Sequence, residues 1–173
     1  MRQRLTRRRL LRAGLVFGGV VVAAGGGARW LVSDRPVGVG RLALSAREAG
    51  VVAALADAHF PPGNQLGKSA ADVDVVSLAD AYVASLLPED RRLFRALLTA
   101  FDQWPRVSFA STATFSALDR AARIDALKRF EDSPRVERRL IASLLRTLVG
   151  LPFFEDAAVL AAVGYAPGCG LPT

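Results

Sequence analysis

The chain has 173 residues and a mass of 18.4 kDa, which is room for one ordinary domain and too little for a nucleotide-binding domain plus a substrate domain. Its composition, 51% hydrophobic and 23% charged, excludes a wholly disordered protein, because there is enough apolar surface to offset the entropy lost on folding. Six of the 23 basic residues lie in the first 28 positions, so the net charge of +7 comes mostly from the N-terminus, and the nearly neutral remainder argues against a nucleic-acid partner.

The first 28 residues have the pattern of a twin-arginine export signal. The motif consists of a hydroxyl residue, two arginines, two apolar residues after a variable position and a further arginine: Thr6, Arg7, Arg8, Leu10, Leu11 and Arg12. The uncharged run that follows, residues 13–28, contains six glycines and is less apolar than a membrane-spanning helix requires. We therefore predict a signal segment over residues 1–28 and export of the folded chain to a periplasmic or other extracytoplasmic, membrane-associated location.

The fate of this segment is left open by the sequence. Cleavage after Ala24 or after Ala28 would place small residues near the cut, but neither position forms a clean Ala-x-Ala site. Both removal of the segment and its retention as a membrane anchor are compatible with this pattern.

Residues 29–44 form a predicted linker, and residues 45–173 a predicted helical domain. Ser45 and Glu48 have the spacing of a capping box, so a first helix is expected to begin there and to end before Pro61. A second helix is expected to end at Pro88, and a third to begin at that residue, where proline is well tolerated. The apolar spacing predicts buried faces on these helices: Val52, Leu55, Ala56 and His59, then Val75, Ala79, Tyr82, Val83 and Leu86, then Leu93, Leu97, Phe101 and Trp104.

The second half of the chain also has helical spacing. Residues 105–114 are a predicted Ser/Thr-rich loop, after which Asp119 is placed to cap a helix that carries Ile124 and Leu127. A further helix is expected to open at Ser133 and to end at Gly150, followed by a short helix over residues 155–163. Its predicted core face is Val136, Leu140, Ile141, Leu144, Leu145 and Leu148. No run alternates with the period of a strand, so the predicted fold is a compact all-α bundle of five or six helices.

The composition argues against chemistry in the chain itself. One histidine, one cysteine and one methionine cannot make a His/Cys metal site, and no Gly-x-Gly-x-x-Gly motif follows a predicted strand. We therefore predict no catalytic, cofactor-binding or metal-binding residues. Cys169 lies in a Pro/Gly-rich tail and is interpreted as a free thiol or a link to a partner. The competing enzyme hypothesis has one acid–base pair to offer, His59 with the nearby Asp57.

The order of these segments resembles the family called gluconate 2-dehydrogenase subunit 3, the small subunits of membrane-associated FAD-dependent sugar and alcohol dehydrogenases. Beside the export motif, the resemblance extends from about Leu44 to Gly168. Its pieces are residues 44–48, 54–57 with 60–61, 115–118, 123–127, 150–154 and 164–168. The chain departs from the family in having a single cysteine, and in having Leu151-Pro152 before its aromatic pair.

The resemblance implies a non-catalytic small subunit that binds no cofactor itself. Its partner would be an FAD-dependent large subunit of the glucose-methanol-choline type, often joined by a cytochrome c, and its signal would carry both subunits through the twin-arginine translocase. The sequence does not name the substrate that the partner oxidises, nor its electron acceptor. Because interfaces favour aromatic side chains, we predict that Phe153, Phe154 and Tyr165 contact the partner, unless they cap the hydrophobic core instead.

Two other functions compete with this interpretation. The chain could be a stand-alone periplasmic enzyme or ligand-binding helical domain that uses Asp57 and His59, or a structural protein tethered by an uncleaved N-terminus. The last of these is compatible with a role as a small subunit.

Overall fold

The computed structural model describes residues 36–108 and 111–165. These residues form six α-helices and one short 3-10 helix, with no strand among them, and the predicted all-α fold is confirmed. The helices are α1 (Ala46–His59), α2 (Val75–Ser85), α3 (Pro88–Val107), the 3-10 helix (Phe115–Ala117), α4 (Arg120–Glu131), α5 (Val136–Glu155) and α6 (Ala157–Ala162). The predicted signal segment, the first part of the linker and Cys169 lie outside the described residues.

Helix α1 is the central element of the bundle. Its N-terminus is closed by the predicted capping box, in which the Ser45 hydroxyl accepts from the Glu48 amide and the Glu48 carboxylate accepts from the Ser45 amide. Helix α1 packs against α2, α3, α4, α5 and the 3-10 helix. Most of its own aliphatic side chains are therefore buried. The helix ends at His59, before Pro61, as the sequence predicts.

Two helices run further than predicted. Helix α3 continues through Pro105 to Val107, and α5 continues through Gly150 and Pro152 to Glu155. A proline inside a helix weakens it because proline has no amide hydrogen to donate. Both prolines are buried, so the burial of their apolar rings partly offsets this loss. A glycine inside a helix costs about 1 kcal/mol relative to alanine. Burying Phe153 stabilises the fold by about 1.5–3 kcal/mol, which offsets the cost of Gly150 and part of the larger cost of Pro152, whose own ring is also buried.

Several residues predicted to be buried are exposed. Tyr82 of α2 is 47% exposed and Leu93 of α3 is 60% exposed. On α3 the predicted Phe101 is buried, but Phe94 and Leu98 take the inner positions expected for Leu93 and Leu97. On α5, Val136 and Leu144 of the predicted core face are also exposed. The residues of α5 that are buried are Ala142, Leu145, Leu148, Val149, Pro152 and Phe153.

A buried carboxylate that the sequence analysis did not single out fixes the chain where it enters the domain. Asp80 of α2 is 2% exposed and accepts three successive backbone amides, those of Leu42 (2.6 Å), Ala43 (3.0 Å) and Leu44 (2.7 Å). Burial favours the neutral acid, but these hydrogen bonds outweigh it and hold the pKa of Asp80 below its ordinary value. The end of the predicted linker is therefore packed onto the domain.

A second buried carboxylate joins three elements. Asp102 of α3 is fully buried, and Arg47 of α1 donates to it through Nη2 at 2.7 Å and Nε at 3.1 Å. The amide and hydroxyl of Ser116, in the 3-10 helix, donate to its other oxygen at 3.0 and 2.7 Å. Burial raises the pKa of Asp102, but the bonds from Ser116 and Arg47 prevail and hold it below its ordinary value.

Candidate partner-binding surface

The side of α5 that faces away from the core is uncharged along almost its whole length. At 100° per residue, eight residues lie within about 60° of Thr147 around the helix axis. These residues, which we call the outer face, are Val136, Leu140, Ser143, Leu144, Thr147, Gly150, Leu151 and Phe154. A solvated helix side normally carries charged residues, so an uncharged side of this width is typical of a helix that packs against something else.

The large side chains of the outer face are accessible. Val136 is 52% exposed, Leu151 50%, Leu144 43% and Phe154 43%. From Leu140 onward the outer face includes positions spaced by four and three residues (140, 144, 147, 151 and 154), which is the spacing of a helix–helix seam. Exposed hydrophobic residues at this spacing form a continuous stripe, and stripes of this kind mark interaction sites in soluble proteins.

The outer face has positively charged residues along one edge and negatively charged residues along the other, and it includes a glycine. Arg139 and Arg146 lie along one edge, while Glu137 and Glu155 lie along the other. In the middle, a Cβ added to Gly150 would meet no atom of the described residues within 4 Å, so packing within this domain does not require a glycine there. Because glycine has no side chain, another backbone could approach the helix closely at this position.

The aromatic pair near the end of α5 divides between core and surface. Phe153 is fully buried and stacks on Phe60 with ring centroids 3.8 Å apart, and so takes the core-capping position named as the alternative in the sequence analysis. Phe154 lies edge-on to Phe60 at 5.8 Å and keeps an exposed side on the outer face. A fully buried ring cannot contact a partner without rearrangement, so the prediction of partner contact stays with Phe154 and not with Phe153.

Tyr165, the third predicted contact, is held in place by the end of α6. Gly164 has a φ of +75°, and the amides of Gly164 and Tyr165 donate to the carbonyls of Ala161 and Leu160. This is the pattern of a Schellman cap, in which glycine takes the left-handed conformation. The backbone of Tyr165 is thereby fixed while its side chain is 60% exposed, so its contact with a partner remains a prediction.

The structure does not bring Asp57 and His59 together as an acid–base pair. Residues two apart on a helix do not face each other. Asp57 instead binds Arg120 and Arg123 of α4, and the hydrogen bond from Arg120, with the charges of both arginines, holds the pKa of Asp57 below its ordinary value. Burial lowers the pKa of His59, and the charged groups that act on it are Arg146 and Glu131.

Neither a metal site nor a membrane span is found in the part of the chain that the structure describes. Residues 36–108 and 111–165 contain no group of three or more His, Cys, Asp or Glu side chains arranged to hold a metal ion. No helix within the same ranges combines the length and the apolar character needed to cross a bilayer.

The outer face could have been found from the sequence only in part. Leu140 and Leu144 were recognised as an apolar stripe, but they were assigned to the core because α5 is apolar on two sides. The uncharged residues Ser143 and Thr147, which complete this side of the helix, are not part of the predicted core face, and Gly150 is predicted only as the end of the helix. A helix with no charged residue over such a width is itself the signal for a second buried side.

Comparison with known proteins identifies a family. The family model described as gluconate 2-dehydrogenase subunit 3 matches residues 46–167, which is more than half of the chain. No curated protein and no solved structure matches it.

Proposed function

The chain belongs to the gluconate 2-dehydrogenase subunit 3 family, and from this membership we propose that it is a non-catalytic small subunit that binds, stabilises and escorts an FAD-dependent dehydrogenase subunit. The family name describes a subunit of a dehydrogenase, which supports an accessory role. The finer elements of the proposal are a partner of the glucose-methanol-choline type, possible attachment to a cytochrome c, and export by the twin-arginine translocase.

The observation that carries this proposal is the outer face of α5. An accessory subunit acts by contact, so it needs a surface that is stable in water but gains free energy when it is covered. Covering apolar area contributes about 25 cal/mol per Å², and interface energy concentrates in a few central aromatic and aliphatic side chains. Leu144, Leu151 and Phe154 meet this requirement, since each is anchored on a rigid helix and about half exposed.

In this proposal the flavin belongs to the partner. The sequence has no Gly-x-Gly-x-x-Gly motif after a predicted strand, which is the motif that ordinarily cradles a pyrophosphate. Its contribution is to cover and stabilise a surface of the dehydrogenase subunit. A partner that binds only the folded enzyme raises the apparent stability of that enzyme by mass action.

The export signal explains why a subunit without chemistry would be coupled to an enzyme that binds FAD. The twin-arginine route carries folded proteins, so a flavoprotein that acquires its cofactor inside the cell can cross the membrane in complex with a chain that carries the signal. The motif of this chain, with Arg7 and Arg8 at its centre, supplies such a signal.

Replacing Arg7 and Arg8 by lysine is expected to block export, so that the dehydrogenase activity is found inside the cell and not outside it. The measurement is dehydrogenase activity in the extracytoplasmic and cytoplasmic fractions, with cells that carry Arg2→Lys and Arg4→Lys outside the motif as the matched control. Undiminished activity outside the cell with the Arg7→Lys, Arg8→Lys variant would contradict the escort role and leave only the binding role.

The competing enzyme hypothesis loses support from the geometry of its candidate residues. Asp57 is held by two arginines, and His59 packs its ring near Phe60, with a centroid separation of 6.2 Å. A membrane-tethered structural role depends on whether residues 1–28 are retained, and it is compatible with the proposed subunit role.

A further inference from the structure

We propose that His59 makes the aromatic end of the outer face acid-sensitive, so that protonation of its imidazole loosens the contact with the dehydrogenase subunit. The part of this inference that concerns the partner rests on the proposed function. The part that concerns the domain itself rests on geometry alone.

His59 occupies a position in which its neutral form fits and its cation does not. Its Nε2 atom is buried and has no hydrogen-bond partner among the described residues. Protonation would add a second N–H donor and a charge to an imidazole that has no acceptor at this atom. His59 as a whole is partly exposed, but a proton and a charge at its buried Nε2 without an acceptor are unfavourable, so we expect the surroundings to open to water or rearrange when the imidazole is protonated.

The charged groups around His59 come from two helices. Arg146 of α5 disfavours the imidazolium, and Glu131 of α4 favours it, while these two side chains form an ion pair with each other. His59 is also the last residue of α1, where the helix dipole favours a cation. Burial is the largest of these influences, and the net result is that the pKa of His59 lies below its ordinary value.

The position of His59 connects this titration to the outer face. Its ring lies against Phe60, whose ring stacks on Phe153 and meets the edge of Phe154. Phe154 is the last large side chain of the outer face, and its ring packs against the rings of Phe60 and Phe153. Opening the end of α1 to hydrate a charged His59 would therefore withdraw Phe60 from Phe154.

The sign of the effect follows from the lowered pKa. An exposed histidine binds its proton near pH 6.5, while His59 in the closed domain stays neutral to lower pH, so the open form binds more protons between these two pKa values. The closed form, in which His59 Nε2 is buried, has its full stability above about pH 6.5. Its stability relative to the open form decreases as the pH falls below that value. At pH 5.5, one pH unit below the ordinary pKa, the loss is at most about tenfold in the opening equilibrium.

The experiment is hydrogen exchange of the full chain at pH 7.5 and 5.5, corrected for the intrinsic pH dependence of amide exchange. Wild-type amides in residues 57–60 and 152–156 are expected to lose up to about tenfold in protection at pH 5.5. His59→Leu, which cannot titrate, is expected to show equal protection at both pH values. When protection is followed over a series of pH values, the pH at which half of this protection is lost is expected to be lower in Glu131→Gln and higher in Arg146→Gln. A histidine with a merely structural role would not produce these shifts.

The outcomes separate this inference from the proposed function. Unchanged wild-type protection at pH 5.5, or the same loss in His59→Leu, would overturn the inference whether or not a partner binds. With the dehydrogenase subunit added, the Kd is expected to rise by up to about tenfold between pH 7.5 and 5.5 for wild type and to be constant for His59→Leu. A constant Kd for wild type would overturn the link to the partner, and absence of any complex at pH 7.5 would count against the proposed function while the exchange data still decide the role of His59.

Discussion

Replacing Asp102 by alanine is expected to lower the free energy of unfolding by about 3 kcal/mol, the largest loss of stability that we predict for a polar residue of this domain. The carboxylate is fully buried and accepts five hydrogen bonds: two from Arg47, two from Ser116 and a longer one, at 3.4 Å, from Gln103. Its removal leaves the Ser116 amide without its acceptor and takes the Asp102 carboxylate away from the Arg47 guanidinium. The value lies at the low end for a broken buried ion pair because the Arg47 side chain is 39% exposed and can be hydrated.

The measurement is urea unfolding of the full chain followed by circular dichroism. Asp102→Asn is the matched control, because the amide keeps one acceptor for Ser116 and loses the charge, so an intermediate loss is expected. The stability that Asp102 confers is present above the ordinary pKa of an aspartate and is lost as the pH falls through its lowered folded-state value. An Asp102→Ala variant as stable as wild type at neutral pH would show that the α1–α3 contact does not depend on this carboxylate.

The double substitution Leu144→Glu, Leu151→Glu is expected to weaken the complex with the dehydrogenase subunit by at least about 100-fold. Both side chains lie on the outer face and are about half exposed, and a carboxylate at either position would have to be desolvated without a partner in the complex. Because both are about half exposed in the free chain, the stability of the chain itself is expected to change by only about 0.5 kcal/mol. The measurement is the Kd at neutral pH, with urea unfolding of the same samples.

Leu93→Glu is the control for added surface charge. Leu93 is 60% exposed on α3, away from the outer face, so this variant is expected to bind the dehydrogenase subunit as wild type does. If the double variant bound normally while Leu93→Glu did not, the partner surface would lie on α3 and the outer face of α5 would be excluded.

The starts of α1, α3 and α4 can be predicted from the sequence because each depends on neighbouring residues, whereas α5 begins at Val136 and not at the predicted Ser133. Ser45 and Glu48 close the start of α1, and Asp119 caps α4 through the amide of Ala122, both as the local pattern predicts. Pro88 opens α3 in the same way. These signals need only a few residues and no knowledge of tertiary packing.

The ends of α3 and α5, and the choice of their buried faces, could not be predicted in this way. Pro105, Gly150 and Pro152 are read locally as helix ends, but burial of the side chains around them outweighs their local cost. For α5 the difficulty is symmetry, because both Leu144 and Leu145 belong to apolar stripes and periodicity alone does not say which stripe meets α1.

The two buried carboxylates illustrate the remaining gap. Asp80 and Asp102 each lie in a helix interior, where an aspartate is ordinarily assigned to the solvent side. Their partners are 36 to 38 residues away for Asp80, and 55 and 14 residues away for Asp102, so no local pattern announces them. The candidate surface could likewise be predicted only in part: of the three aromatic residues predicted to contact a partner, Phe154 and Tyr165 are exposed and Phe153 is buried, and the polar residues of the outer face are not predicted.

The most direct test of the small-subunit proposal is to co-express the chain with its dehydrogenase subunit, isolate the complex, and separate the two polypeptides before assaying each for bound flavin and for substrate oxidation. The account predicts that the chain co-purifies with the dehydrogenase subunit, and that after separation all flavin and all turnover remain with that subunit. Flavin held by the isolated chain, or substrate oxidation by it, would contradict the account.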